Sequence, residues 1–226
     1  MPEPPKGLNG SNPAWLFAIL WTMLKVILAS QSPRRKELLT KMGVVFAAIP
    51  SYFDEYLDDT RSPETVAVEL AVGKALAVAE QHPDDIVIGS DTIVTVDGKQ
   101  LAKAVDDNEA RQMLKALSGT HNEVTTGLAV IRLSDNTKLT GVDTTIVYFR
   151  PYNGGEVNRY IATGDYKDKA GAYGIQSGAA SLIEYFSGNY DTVLGLPTKL
   201  LSDILNKLGI EAKSVTIQPP VEQRST

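Results

Sequence analysis

KVILASQSPRRKELLTKMG, residues 25–43, joins a short apolar run to a clearly marked helix start. The run over residues 25–30 is rich in β-forming side chains and predicts a strand. Ser32 then offers an N-cap, Pro33 occupies the first helical position, and apolar side chains recur over residues 38–42. A strand, a turn and a helix in this order are typical of the opening of an α/β domain.

Three cations, Arg34, Arg35 and Lys36, lie in the first turn of this predicted helix. The helix macrodipole disfavours positive charge there, by on the order of 0.3–1 kcal/mol for each exposed cation. The free N–H groups of a helix start bind anions, however, and guanidinium groups hold phosphate oxygens in pairs. The turn therefore indicates a phosphate site, and a solvated basic turn is the alternative.

The rest of the chain alternates between predicted strands and helices and has no fixed-period repeat. We predict strands over residues 44–49, 85–96, 122–133 and 137–150, and helices over residues 63–81, 107–119, 153–164 and 196–209. A hairpin is expected at residues 97–99, and the tail from Gln218 is expected to be disordered. This interleaving without a strict βαβ rhythm predicts a mixed sheet covered by helices.

Composition excludes several classes of function. The net charge of −5 over 226 residues argues against non-specific binding to nucleic acid or to an anionic membrane. The absence of cysteine excludes disulfides, thiol nucleophiles and Cys-ligated zinc. Two histidines, His82 and His121, are too few for a His-rich metal site.

Residues 1–22 form an N-terminal extension, for which the sequence leaves two interpretations open. The first part is rich in Pro, Gly and Asn and is expected to be disordered. The apolar run that follows is shorter than the about 20 residues that cross a bilayer. The run also lacks the basic start and the cleavage site of a signal peptide. Either the native chain starts at Met23, or the run is an amphipathic helix that packs on the body or on a partner.

The segment VIGSDT, residues 87–92, points to a reactive carboxylate. Asp91 follows a buried apolar run, and the small residues Gly89 and Ser90 before it permit the close approach of a ligand. Burying a carboxylate is costly unless it is paired or binds a metal, so Asp91 can take a proton from water or hold Mg²⁺. An Asp that caps a turn is the commoner case. Glu55, in an acidic loop, is a second candidate for a hard cation and is by itself an ordinary solvated residue.

The segment KAGAYGIQ, residues 169–176, places glycines on both sides of Tyr173. Such spacing lets the backbone approach a ligand closely, and the Gln176 carboxamide can pair with the edge of a base. A glycine-containing edge strand is the alternative. Lys74 and Lys103, taken alone, are ordinary surface lysines.

Together these segments resemble the Maf family of nucleoside triphosphate pyrophosphatases, over residues 24–209. The matching motifs are LASQSPRR (28–35), DE (54–55), GSDTIV (89–94), LSGTHNEVTTG (117–127), KAGAYGIQ (169–176) and GNYDTVLGLP (188–197). The resemblance implies an α/β fold of the Maf/Ham1, ITPase-like type, with an elongated mixed sheet flanked by helices and two lobes around a central cleft. It places the catalytic domain at residues 23–212 and a tail at residues 213–226.

The resemblance also implies a cytoplasmic enzyme, often dimeric, that cleaves a nucleoside triphosphate between its α and β phosphates with the help of Mg²⁺ or Mn²⁺. By match, Asp91 is the proton acceptor and shares the metal with Glu55, and base preference is set by Arg34, Thr92 and Gln176. The phosphate region is lined by Ser32, Arg35, Lys74, Lys103 and Lys169. No nucleic acid or membrane partner is implied.

The AGAYGIQ form resembles the family branch that acts on dTTP and UTP. A carboxamide both donates and accepts, which matches the N3–H and carbonyl of uracil or thymine. The alternatives are the branch acting on 7-methyl-GTP and a nucleotide-binding regulator of cell division, since the family is associated with septum inhibition. The sequence departs from the family after Lys103, where a proline is usual, and after Gln176, where QSGAAS replaces QG.

Overall fold

The computed structural model of the chain describes residues 25–53, 60–167 and 169–224. The predictions for residues 1–22 and for Glu55 lie outside these ranges. None of the helices in the described ranges has the length and apolar character needed to span a membrane.

The predicted strands and helices are present in the predicted order, and the helix ends differ from the predictions by no more than two residues. The short helices Gly178–Leu182 and Tyr190–Val193 were not predicted. The strands are β1 Val26–Leu28, β2 Phe46–Ala48, β3 Ile86–Val96, β4 Lys99–Gln100, β5 His121–Arg132, β6 Thr137–Phe149, β7 Ile183–Ser187 and β8 Glu222–Arg224. The α-helices are α1 Pro33–Lys41, α2 Pro63–Ala79, α3 Asp107–Leu117, α4 Gly154–Ala162, α5 Tyr190–Val193 and α6 Thr198–Lys207, and a 3₁₀ helix spans Gly178–Leu182.

The strands form one mixed sheet in the order β2-β1-β3-β5-β6-β7-β8, and β4 pairs with β3 off this path. β1 runs parallel to β2 and β3, whereas β3, β5, β6 and β7 pair in an antiparallel manner. The centre of the sheet is long, because β3, β5 and β6 have 11, 12 and 13 residues. The predicted mixed, elongated sheet with helices against it is confirmed.

The prediction of a disordered tail is wrong for Glu222–Arg224. This segment forms β8, which adds to the sheet in parallel with β7. The Gln223 side chain donates to the Gly188 carbonyl at 2.8 Å, and the Arg224 guanidinium lies 4.0 Å from the ring centroid of Tyr185. Pairing through the main chain at a sheet edge needs no apolar pattern, so the local sequence carried no signal for it.

Helix α2 packs directly on β3 and β5, because both strands have a glycine beneath it. A Cβ atom at Gly89 would lie 2.1 Å from the Ala71 carbonyl oxygen, and one at Gly127 would lie 2.2 Å from the Ala67 carbonyl oxygen. The close approach predicted at Gly89 therefore serves the helix and not a ligand. It also brings Lys74 of α2 to the surface of the sheet.

The parallel part of the sheet ends where a ligand site is expected. β1 and β3 pair only up to Leu28 and Ile88, and β3 continues beyond this point through Asp91. In open α/β sheets, ligands bind outside the carboxyl ends of the parallel strands. Asp91 lies just beyond such an end.

Candidate active site

A cleft of about 860 Å³ opens beside the carboxyl ends of β1 and β2. Its lining includes every described residue that the sequence assigned to substrate: Ser32, Arg34, Arg35, Lys74, Asp91, Thr92, Lys103, Lys169 and Gln176. Glu55 lies outside the described residues. Side chains separated by up to 144 positions in the sequence thus share one cavity, and their individual roles remain predictions.

Asp91 is buried in the wall of this cleft and is paired with Lys74. The carboxylate belongs to a residue only 7% exposed, and Lys74 Nζ donates to its Oδ1. The Lys74 side chain is itself 12% exposed, so the reading of Lys74 as a surface lysine is wrong. Nothing in the sequence around Lys74 marks this pairing, which depends on the packing of α2 against Gly89.

The start of α1 has the predicted cap. The Arg35 backbone N–H donates to Ser32 Oγ at 3.4 Å, and the Ser32 N–H donates in turn to Ser30 Oγ at 3.2 Å. The Arg34 side chain is exposed on the cleft and has no hydrogen-bond or ion-pair partner within the described residues. Arg34 is therefore a cation available to an incoming anion.

Arg35 differs from its neighbour because its guanidinium is held by the protein. Nε donates to the Gly195 carbonyl at 2.8 Å, and the two terminal nitrogens donate to Ser30 Oγ at 3.4 Å and Thr92 Oγ1 at 3.3 Å. The turn as a whole was predicted to bind phosphate, and the resemblance assigned Arg34 to base preference and Arg35 to the phosphate region. In the structure, Arg35 ties the start of α1 to β3 and to the segment before α6.

Buried hydroxyl groups hold that segment under the cleft. Ser90 Oγ donates to the Gly195 carbonyl at 2.9 Å, and Thr126 Oγ1 donates to the Thr192 carbonyl at 2.7 Å. Thr92 Oγ1 and Thr126 Oγ1 are 3.0 Å apart, and Thr92 is the donor because the Thr126 hydrogen is already used. These bonds hold the backbone of the GNYDTVLGLP motif, for which the sequence had suggested no chemistry.

The opposite wall is formed by residues 169–177, which are not the edge strand offered as an alternative. A single bridge joins Ala170 to Lys103, and the chain then turns through Gly171 and Ala172, both with positive φ (+70° and +59°). The turn presents Gln176 to the cleft, where its exposed carboxamide has no partner within the described residues.

Asp165 is a cleft residue that the sequence analysis missed. Its carboxylate accepts hydrogen bonds from Lys169 Nζ at 3.1 Å, from Tyr160 OH at 2.8 Å and from Ser177 Oγ. Burial raises the pKa of Asp165, but the bonds from Ser177, Tyr160 and Lys169 outweigh it and leave the pKa below its ordinary value. Asp165 and Lys169 are four residues apart but lie after the end of α4, where the pairing rule for helix surfaces gives no signal.

Part of the lining is apolar. Tyr173 is buried there, its hydroxyl donates to Asn122 Oδ1 at 3.1 Å, and burial raises the pKa of this phenol. The other apolar side chains of the lining include Ile93, Val94, Leu101, Val124 and Ile175. A surface of this kind suits the face of a planar ring, and Gln176 supplies a polar group for its edge.

The charges in the described lining favour a compact, multiply charged anion. Five cationic side chains, those of Arg34, Arg35, Lys74, Lys103 and Lys169, face two carboxylates, an excess of three positive charges. The whole chain carries −5. A positive cleft in an acidic protein attracts a compact, multiply charged anion and not an extended polyanion.

Comparison with known proteins gives consistent matches along the chain. The family model described as Maf-like protein matches residues 25–208. The dTTP/UTP pyrophosphatase of Dictyoglomus thermophilum is 41% identical over 186 residues, which cover 82% of this chain and 96% of the relative. The dTTP/UTP pyrophosphatase of Symbiobacterium thermophilum is 43% identical over 187 residues, which cover 83% and 95%. The Ham1 protein of Staphylococcus aureus matches with a TM-score of 0.41 and 13% identity, over 55% of this chain and 71% of that one.

Proposed function

We propose, because the chain belongs to the Maf-like protein family, that it hydrolyses dTTP and UTP to the nucleoside monophosphate and pyrophosphate. The relatives named above carry this activity in their names and match this chain over most of their length. The observation that carries the proposal is that one cleft is lined by Asp91, five cations and the carboxamide of Gln176, which has no partner within the described residues.

The proposed reaction is an attack of water on the α phosphorus. Asp91 orients the water and accepts its proton while the bond from the α phosphorus to the bridging oxygen breaks and pyrophosphate leaves. The described cations neutralise charge on the phosphates, and Arg34 and Lys103 do so without giving up a partner within the described residues. Positioning and electrostatic stabilisation supply most of the acceleration in such reactions.

A divalent cation fits the donor set of the cleft. Among the described residues, no group of three or more His, Asp or Glu side chains is arranged to hold a metal by itself. Mg²⁺, however, is commonly held by one or two carboxylates together with substrate phosphates, so Asp91 is sufficient as the protein ligand, with Glu55 as a candidate outside the described residues. The ion would neutralise phosphate charge and polarise the phosphoryl group.

The experiment that tests the function is a panel of nucleoside triphosphates, incubated with the purified chain and Mg²⁺ or Mn²⁺ and scored for pyrophosphate release. Release from dTTP and UTP in preference to dCTP, ATP and 7-methyl-GTP is expected. Turnover of 7-methyl-GTP above dTTP would contradict the substrate assignment, and binding without release from any nucleotide would contradict the activity.

Base preference is assigned chiefly to Gln176. Thr92 shares the cleft, but its hydroxyl already bonds to Arg35 and Thr126, so we assign Thr92 to the support of Arg35. Gln176→Ala is expected to lower the ratio of kcat/KM for dTTP over dCTP by about tenfold, the size of effect that one lost polar contact gives. Steady-state kinetics on both nucleotides measure it. Gln112→Ala, an exposed glutamine of α3 outside the cleft, is the control, and an unchanged ratio in Gln176→Ala would refute the assignment.

The alanine variants of the two arginines of α1 are expected to differ in stability. Arg34→Ala should raise KM about tenfold and leave the melting temperature unchanged, because Arg34 has no partner to lose within the described residues. Arg35→Ala should lower activity and also cost about 1–3 kcal/mol of unfolding free energy, because the three hydrogen bonds from its guanidinium to Gly195, Ser30 and Thr92 are lost. Kinetics and thermal denaturation measure both. Lys36→Ala, the third cation of the turn, should change neither property, and equal melting temperatures for all three variants would contradict the division.

A further inference from the structure

The carboxylate of Asp165 is shared between two groups of the cleft wall. One oxygen accepts from Lys169 Nζ at 3.1 Å. The other accepts from Tyr160 OH at 2.8 Å and from Ser177 Oγ. Asp165 itself lines the cleft but carries the same sign of charge as a phosphate, so contact with the phosphate chain is unfavourable and another role has to account for it.

The second oxygen determines where the backbone around Gln176 lies. Ser177, which follows Gln176 directly, is bonded to Asp165, and its N–H donates to the Gly174 carbonyl at 3.2 Å. The Gly174 N–H donates to Tyr160 OH at 3.1 Å, and Tyr160 donates onward to Asp165. Both sides of Gln176 are thus connected to one carboxylate.

Regular structure does little to hold this segment. Its one strand-type pairing among the described residues is the bridge between Ala170 and Lys103, and it passes through Gly171 and Ala172 at positive φ before the 3₁₀ helix starts at Gly178. Burial of Tyr173 and Ile175 anchors the segment as far as Ile175, whereas Gln176 and Ser177 are exposed. The Gln176 side chain has no partner within the described residues. Its position relative to a base therefore depends on the backbone, which after the buried Ile175 is held by the bonds from Ser177 to Asp165 and to the Gly174 carbonyl.

We propose that Asp165 is a specificity-determining positioning residue, which fixes the carboxamide of Gln176 against the base through Ser177 and Tyr160. The inference rests on the proposed function, since it concerns selection among pyrimidine nucleotides. The lowered pKa of Asp165 agrees with a carboxylate that stays charged and accepts all of these bonds. A purely structural role would act on stability and leave the choice of base unchanged.

Two substitutions separate the two oxygens. Asp165→Asn keeps one acceptor oxygen for Ser177 and Tyr160 and loses the charge that faces Lys169. Asp165→Ala loses both. The ratio of kcat/KM for dTTP over dCTP should fall about tenfold in Asp165→Ala, as in Gln176→Ala, and should stay close to the wild-type ratio in Asp165→Asn. An unchanged ratio in Asp165→Ala, or an equal loss in both variants, would overturn the inference.

A double variant tests whether Asp165 acts through Gln176. In the Gln176→Ala background, Asp165→Ala should change the dTTP/dCTP ratio no further, because residues that act as one unit are not additive. A second full tenfold loss would overturn the inference. Ser177→Ala, at an exposed position, removes one bond to Asp165 and should give a partial loss of selectivity even if Asp165→Ala does not fold, and a wild-type ratio in this variant would also count against the inference.

Matched controls separate this inference from the proposed function. Asp135→Ala removes a carboxylate of similar bonding, paired with Arg132 outside the cleft, and should leave the ratio unchanged. If the wild type is active and the dTTP/dCTP ratio is unchanged in Asp165→Ala, the inference is wrong and the proposed function stands. A wild type that releases pyrophosphate from no nucleotide overturns the proposed function, and the inference with it.

Discussion

Asp91→Asn is expected to lower kcat for dTTP by roughly 10²–10⁴-fold, the usual contribution of a positioned general base. The reason is geometric as well as chemical. Asp91 lies just past the end of the parallel strands, in the wall of the cleft, with its carboxylate paired to Lys74. An amide of the same shape can still fill the space but cannot accept the proton of the attacking water. Single-turnover release of pyrophosphate measures the chemical step directly.

Folding and binding have to be checked in the same variant. The melting temperature shows whether the substituted asparagine still packs beside Lys74, and equilibrium binding of dTTP shows whether the cleft remains formed. Asp135→Asn, on the turn between β5 and β6, is the control and should keep full turnover. A near wild-type kcat in Asp91→Asn would show that Asp91 is not the general base. Asp165 would then be the other described carboxylate of the cleft to test for that role.

Local signals were sufficient where the structure is locally determined. Ser32 and Pro33 mark the start of α1, and Asn153 with Glu156 forms a capping box at the start of α4. The Asp97–Gly98 pair takes positive φ at both positions (48° and 75°), as a two-residue hairpin turn requires. In each case, the residues that form the contact are neighbours in the sequence, so the pattern carried the information.

Signals failed where a contact joins distant parts of the chain. The bond from Arg35 to the Gly195 carbonyl spans 160 residues, and no feature of SPRR distinguishes a held guanidinium from a free one. The same holds for Lys74, whose side chain is only 12% exposed on a helix that packs on Gly89. Motif matching placed these side chains in one site, but it could not state which of them are already bonded to the protein.

Asp165 shows the same limit over a shorter distance. It lies four positions before Lys169, but neither residue is in a helix, so the pairing rule for helix surfaces did not predict the ion pair that the structure contains. Nor could the sequence indicate that the second oxygen bonds to Ser177 and Tyr160. The role in positioning Gln176 therefore became visible only with the fold.

Gly89→Ala is expected to destabilise the protein by about 3 kcal/mol, at the upper end of the usual cost of overpacking. For a chain of this size that corresponds to a fall in melting temperature of roughly 6–12 °C. The added Cβ would lie 2.1 Å from the Ala71 carbonyl oxygen and 2.9 Å from the Ala75 backbone nitrogen. Both are main-chain atoms of α2, so the helix has to move and no side-chain rotation relieves the clash.

The movement of α2 should also lower the activity, because Lys74 lies on this helix between Ala71 and Ala75, the two residues that the added Cβ would contact. We expect kcat/KM for dTTP to fall in the fraction of Gly89→Ala that remains folded, together with the melting temperature. Gly154→Ala is the matched control: a Cβ there meets nothing within 4 Å, and alanine in a helical position should stabilise slightly. Urea denaturation measures the stability of both variants, and steady-state kinetics measure their activity. A Gly89→Ala protein that is as stable and active as Gly154→Ala would mean that α2 does not hold Lys74 against Asp91.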